Sequence, residues 1–141
     1  MKIILFFSVF SLLLLNGCQD LAVKDNIIGN YYLVAADQIE GTCLSYHESD
    51  DLNYSCLIES AVFGVGFDER YMIVEQHPWK FESPLNRNIT NYFILPLKKG
   101  MNWRSKNGLI GPLTLEEFKE KRKKLNISES LKFTKEIDDI K

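Results

Sequence analysis

The side chains best equipped for chemistry in this 141-residue sequence are three cysteines, two histidines and two adjacent acid pairs. His77 ends the segment Tyr71-Met72-Ile73-Val74-Glu75-Gln76-His77 and precedes Pro78, with Asp68 in the turn before it. An imidazole within hydrogen-bond reach of a carboxylate can act as a general base on water. A hydrolase using His77 with Glu75 or Asp68 is therefore one expectation, and it requires that His77 face a cleft. Cys43, His47, Cys56 and His77 are zinc-ligating residue types. They include no tight Cys-x-x-Cys pair, so neither a metal nor a cofactor is expected. Asp50-Asp51 and Asp68-Glu69 sit at turns, where acids serve the backbone. No Gly-x-Ser-x-Gly, His-Glu-x-x-His, phosphate-binding loop or calcium loop occurs. The residues favour a non-catalytic role over an enzyme.

Cys18 offers a different chemistry, acylation. It follows Lys2 and an apolar run at 3–15 broken only by Ser8 and Ser11, with Leu15 at −3 and Gly17 at −1. The run is shorter than the roughly 20 apolar residues that span a bilayer. The context resembles the signal box of bacterial lipoproteins, from which Asn16 at −2 departs. Residues 1–17 are then a signal peptide, and Cys18 becomes the mature N-terminus with fatty acyl (palmitate) chains on thiol and amine. Two or more chains hold a protein stably on a membrane where one does not. The expected location is the cell membrane or outer membrane, with the domain outside the cytoplasm. Lipidation leaves Cys43 and Cys56 as an even pair in an oxidising compartment, so a disulfide is expected, contributing about 3 kcal/mol.

With 45% hydrophobic and 12% aromatic residues the chain can bury one core. Its net charge of −2 lacks the concentrated basic surface that phosphate backbones need, so no nucleic acid is expected as partner. The charge is unevenly spread, −8 over 18–95 and +5 over 96–141. The two poles could attract each other within the fold, and an acidic face could recruit a basic partner or a cation.

The elements that must position these groups follow from patterning. Residues 18–28 are expected to be a lipidated tether and 29–141 a single domain. Strands are expected at 30–36, 42–47 and 53–58, with a turn at 48–51 that brings Cys56 beside Cys43. In the second of these, Leu44 and Tyr46 share one face and Cys43, Ser45 and His47 the other. The clearest hairpin is 61–67 with 71–77 around Asp68-Glu69-Arg70, where Gly64 and Gly66 permit a bulge or the close approach of a neighbouring backbone. A loop at 79–88, a strand at 90–95 and a Gly111-Pro112 turn come next. Thr114 is placed as N-cap of a helix, with Glu117 completing a capping box. Leu115, Phe118, Arg122 and Leu125 line one side of it, and Lys121 to Lys124 sit at the negative end of its dipole. That cluster could also meet anionic lipid or an acidic partner. Residues 131–137 are expected either as an edge strand or as more helix. The whole is expected to be α+β, an antiparallel meander of about five strands with a C-terminal helix packed on one face.

Three stretches carry a resemblance: Gly29-Asn30-Tyr31-Tyr32-Leu33, then Val65-Gly66-Phe67-Asp68-Glu69-Arg70-Tyr71 with Gln76-His77-Pro78, then Asn91-Tyr92-Phe93 with Ile110-Gly111-Pro112-Leu113-Thr114. Together they resemble an uncharacterised family of short bacterial proteins, many of them lipoproteins, and no activity comes with that resemblance. Trp79, Phe81 and Trp103 fall in expected loops and are the candidate partner-contact residues. The leading expectation is a binding module of the cell envelope, held to the membrane through Cys18 and meeting an unknown envelope protein. The alternative is a carrier or sensor of a small apolar or lipid ligand held between sheet and helix.

Overall fold

The computed structural model describes residues 21–47, 55–97 and 108–141. Within them β1 (Val23–Ile28), β2 (Tyr31–Ala35), β3 (Cys43–Tyr46) and β4 (Ser55–Ile58) form an antiparallel sheet in chain order. A second antiparallel sheet is built from β5 (Val62–Phe67), β6 (Tyr71–Gln76), β7 (Asn91–Pro96), β8 (Ile110–Leu113) and β9 (Lys135–Glu136), ordered β8-β7-β6-β5-β9. The helix α1 (Leu115–Lys124) lies between β8 and β9 in the chain.

Strands β6 and β7 dictate the layering, because both of their faces are apolar. Met72, Val74, Phe93 and Leu95 join Leu33, Leu44, Ile58 and Val65 in one buried cluster between the two sheets. On the other face Ile73 and Ile94 pack with Phe118, Ile127 and Leu131, so that α1 and the segment after it cover the second sheet. A sheet apolar on both faces must be covered twice, here by a sheet and by a helix. The fold is α+β as expected, but the single meander of about five strands is corrected to two sheets in which nine strands are described.

The additional strands have identifiable causes. β1 occupies residues expected as tether; Ile27 is buried and Val23 and Ile28 pack against the core, while Lys24 and Asn26 are exposed, so its polar residues hid the period. β8 includes Gly111-Pro112, expected as a turn. Proline is tolerated there because β8 is an edge strand, and its pairing with β7 shifts register between Tyr92 and Ile94. β9 pairs with β5 and settles 131–137 toward the edge strand.

Gly64 and Gly66 act as expected. The β5–β6 register shifts between Val62 and Gly64. A Cβ at Gly66 would sit 1.9 Å from the Lys132 carbonyl oxygen, so the chain crosses β5 at a distance only glycine permits.

The strand directions define two ends. At the near end, Ala22 N–H donates to Ala36 O, Val62 N–H to Thr42 O, and Ala61 and His77 exchange backbone bonds. Loop 77–90 and the C-terminal residues Ile137 and Ile140, packed on Ala61 and Phe63, belong to this end. At the far end, Leu97 N–H donates to Arg70 O in the β5–β6 turn, and Arg70 Nη2 donates to Asn126 O at 2.9 Å.

Candidate functional site

Loop 77–90 is held by its own polar groups. Trp79 Nε1 donates to Ser83 O (2.9 Å), Ser83 N–H to Lys80 O (3.0 Å), and Arg87 Nη2 to Asp139 O (2.7 Å). Trp79 and Leu85 pack against Ala61, Phe63 and Ile140, which places the loop on a solid base. Phe81 stands edge-on to Trp79, ring centroids 6.3 Å apart, and is 70% exposed. Ile89, in the same loop, is 48% exposed. An ordered loop that displays an aromatic ring incurs little ordering cost when it meets a surface.

His77 belongs to the base of this loop. It is buried, its ring stacks on Phe63 at 4.2 Å between centroids, and Nδ1 lies 2.8 Å from Ile89 O. Nε2 is buried without a hydrogen-bond partner. Among the described residues the imidazole therefore makes no hydrogen bond to a carboxylate or a hydroxyl. Its neighbour Gln76 bridges, donating through Nε2 to Ser60 O and accepting from Asn91 Nδ2 (2.9 Å). Asp68 accepts from the backbone of Arg70 (2.7 Å) and Tyr71 (2.8 Å), the turn role expected of it.

Glu75 lies opposite Gly64 on one side and Tyr92 on the other. A Cβ at Gly64 would come within 2.5 Å of Glu75 Oε2, so the missing side chain makes room for the carboxylate. Burial pushes the Glu75 carboxyl up to about 7, the Glu136 charge adds to this, and Lys141 opposes it. Burial, then Glu75 and Glu116, raises the Tyr92 phenol as well. This carboxyl is the most perturbed acid described, and it pairs across the sheet with Tyr92, whose ring stacks on Phe118.

Cys43 and Cys56 are joined as a disulfide that links β3 to β4, with Cα atoms 5.7 Å apart. Both thiols are thus removed from the metal set suggested by Cys43, His47, Cys56 and His77. Among the described residues no group of three or more His, Cys, Asp or Glu gathers to hold a metal ion. Cys18, the turn at 48–51 and Trp103 lie outside the described residues. The described residues that flank the last of these, Leu97 and Gly108, are at the end opposite Trp79.

A family model described as Protein of unknown function (DUF3997) matches residues 28–140. The chain belongs to the DUF3997 family. No curated protein and no solved structure matches it. The matched stretch of this DUF3997 chain begins at the last residue of β1 and takes in the disulfide, loop 77–90, α1 and β9.

Two features of the DUF3997 chain escaped the sequence. Ile89 was hidden because a single isoleucine among polar residues carries no period. The second is an open groove of about 550 Å³ beside α1, lined by Lys119, Arg122, Lys123, Asn126, Glu129 and Lys132 among others. Its cations come from α1 and from Lys132 in the segment that follows it. Arg122 donates to Ser128 O and Leu131 O and lies 5.5 Å over the Phe118 ring, closing the helix onto the following loop. The groove opens on the side reached by Asn126 and Arg70, away from Phe81. The negative end of the α1 dipole accounts for its charge.

Proposed function

We propose that this chain is a lipid-anchored, non-catalytic interaction module of the bacterial cell envelope. Acyl chains on Cys18 hold it to the cell membrane or outer membrane, and it makes contact through the end that carries Trp79 and Phe81. One observation carries this reading. The three exposed large apolar side chains among the described residues are Phe81, Ile89 and Leu115, and all of them lie at the near end. Leu115 joins them because it follows the end of β8, where Leu113 pairs with Tyr92. Exposed apolar side chains gathered at one end mark a contact surface, whereas scattered ones do not.

Two further facts support the location. The Cys43–Cys56 bridge suits an oxidising compartment. Among the described residues no helix is long and apolar enough to cross a membrane, so a lipid on Cys18 would supply the attachment. The carrier reading gains no support between the second sheet and α1, because Ile73, Ile94, Phe118, Ile127 and Leu131 fill that space.

The test is photo-crosslinking in intact cells. A photoreactive phenylalanine replaces Phe81 in one strain and Glu69, exposed in the far-end turn, in another. Adducts to envelope material, protein or lipid, from position 81 and not from 69 are expected. Equal labelling from both positions, or none from 81, contradicts the reading.

A further inference from the structure

We infer that the near end rests on the bilayer itself, with Phe81, Ile89 and Trp79 entering the lipid interface. The inference depends on the proposed anchoring at Cys18 and names the surface that this end meets. It begins with where the chain comes in. Ala22 is fixed at the near end by its bond to Ala36 O. From Cys18 to Ala22 an extended chain covers at most roughly 14 Å. The headgroup layer on each side of a bilayer is about 5–8 Å thick. An acylated Cys18 therefore keeps Ala22, and the end to which it is bonded, close to the headgroups.

The side chains at that end suit this surface. Tryptophan favours the membrane interface, where its ring is half in lipid and its N–H remains bonded. Trp79 Nε1 already has its partner in Ser83 O, so no polar group is stranded if the ring meets lipid. Phe81 projects 70% free beside it. The loop also carries Lys80, Glu82 and Arg87, and Arg87 is bound to Asp139 O. Asp37, Glu40, Asp138 and Asp139 belong to the same end, so attraction to anionic lipid cannot drive the contact. The drive is apolar, and neutral lipid should serve as well as anionic lipid. A protein partner would need the near end free of the membrane, which the short connection to Cys18 opposes.

A single tryptophan reporter placed at either end provides the test. The chain from Cys18 onward keeps every described residue, and its Cys18 thiol remains available because Cys43 and Cys56 are bonded to each other. It is coupled through Cys18 to a maleimide lipid in phosphatidylcholine vesicles whose acyl chains are brominated. Trp103→Phe leaves Trp79 as reporter, and Glu69→Trp in a chain that also carries Trp79→Phe and Trp103→Phe puts the reporter in the exposed far-end turn, with circular dichroism checking each fold. Trp79 emission should be quenched several-fold more than emission from position 69. Phe81→Ser, at an exposed site, should reduce that quenching in the Trp79 reporter. Equal quenching of the two, stronger quenching at position 69, or no effect of Phe81→Ser overturns the inference. Chemical coupling makes the result independent of whether cells acylate Cys18. A protein adduct from position 81 with Trp79 unquenched would overturn the bilayer contact alone and leave the broader reading standing.

Discussion

Glu75 is the residue whose environment most exceeds what its sequence context announces. Its carboxyl is raised from an ordinary value near 4.5 to about 7 in the folded chain, first by burial and then by Glu136. Below pH 4.5 it is protonated in both folded and unfolded states. Between 4.5 and 7 the unfolded chain ionises while the folded chain holds its proton, so stability falls as pH rises, and above 7 the loss is constant. Glu75→Gln should flatten this fall and raise the melting temperature at pH 8, by an amount that solvent around the half-buried group limits to about 1 kcal/mol. Thermal denaturation at pH 4.5 and pH 8 checks it, and equal responses of variant and parent would refute the assignment. Alternation along 71–77 identified the strand, yet nothing in the sequence placed Gly64 and Glu136 beside this carboxylate, since both arrive by pairing across the sheet. His77 was legible as a strand-end residue. Its stacking on Phe63 depends on the β5 bulge, which shifts the register and was foreseen only as a possibility at the glycines.

At the scale of elements, local signals were the readable ones. The capping box of α1 is present, with Thr114 Oγ1 accepting from Glu117 N–H (3.3 Å) and Glu117 Oε2 accepting from Thr114 N–H (2.8 Å). Thr114→Ala should cost about 1 kcal/mol in a denaturant titration. The helix buries Phe118 as expected but leaves Leu115 exposed, because the first turn overhangs the end of β8. Gly66 matters through a crossing that no local pattern encodes. Gly66→Ala would drive a methyl into the Lys132 carbonyl, which is backbone and cannot swing aside, so a loss of about 2–3 kcal/mol is expected in the same titration. Cys43→Ser, which opens the β3–β4 link, should cost about 3 kcal/mol. β1 and β8 were not legible for a common reason. Each is an edge strand with one covered face, so polar and proline residues are admitted and the period-two signal weakens.

For the molecule as a whole, the α+β class followed from strand patterning and one capped helix, while the division into two sheets followed from β6 and β7 being apolar on both faces. The first sheet also takes residues 23–28 out of the proposed tether and into β1. The acidic first part and basic last part meet where Lys135 pairs with Asp25, joining β9 to β1. The proposed anchor, a near end bearing the exposed apolar side chains and a cationic groove beside α1 would together orient the chain on a membrane, and that orientation depends on Cys18. The deciding measurement is intact-mass and fragment-ion mass spectrometry of the protein isolated from membranes of its own host. The account predicts a chain beginning at Cys18, with its thiol and amine carrying lipid and with Cys43 and Cys56 bonded. A mature chain that retains residues 1–17, or that begins at an unmodified Cys18, would contradict it.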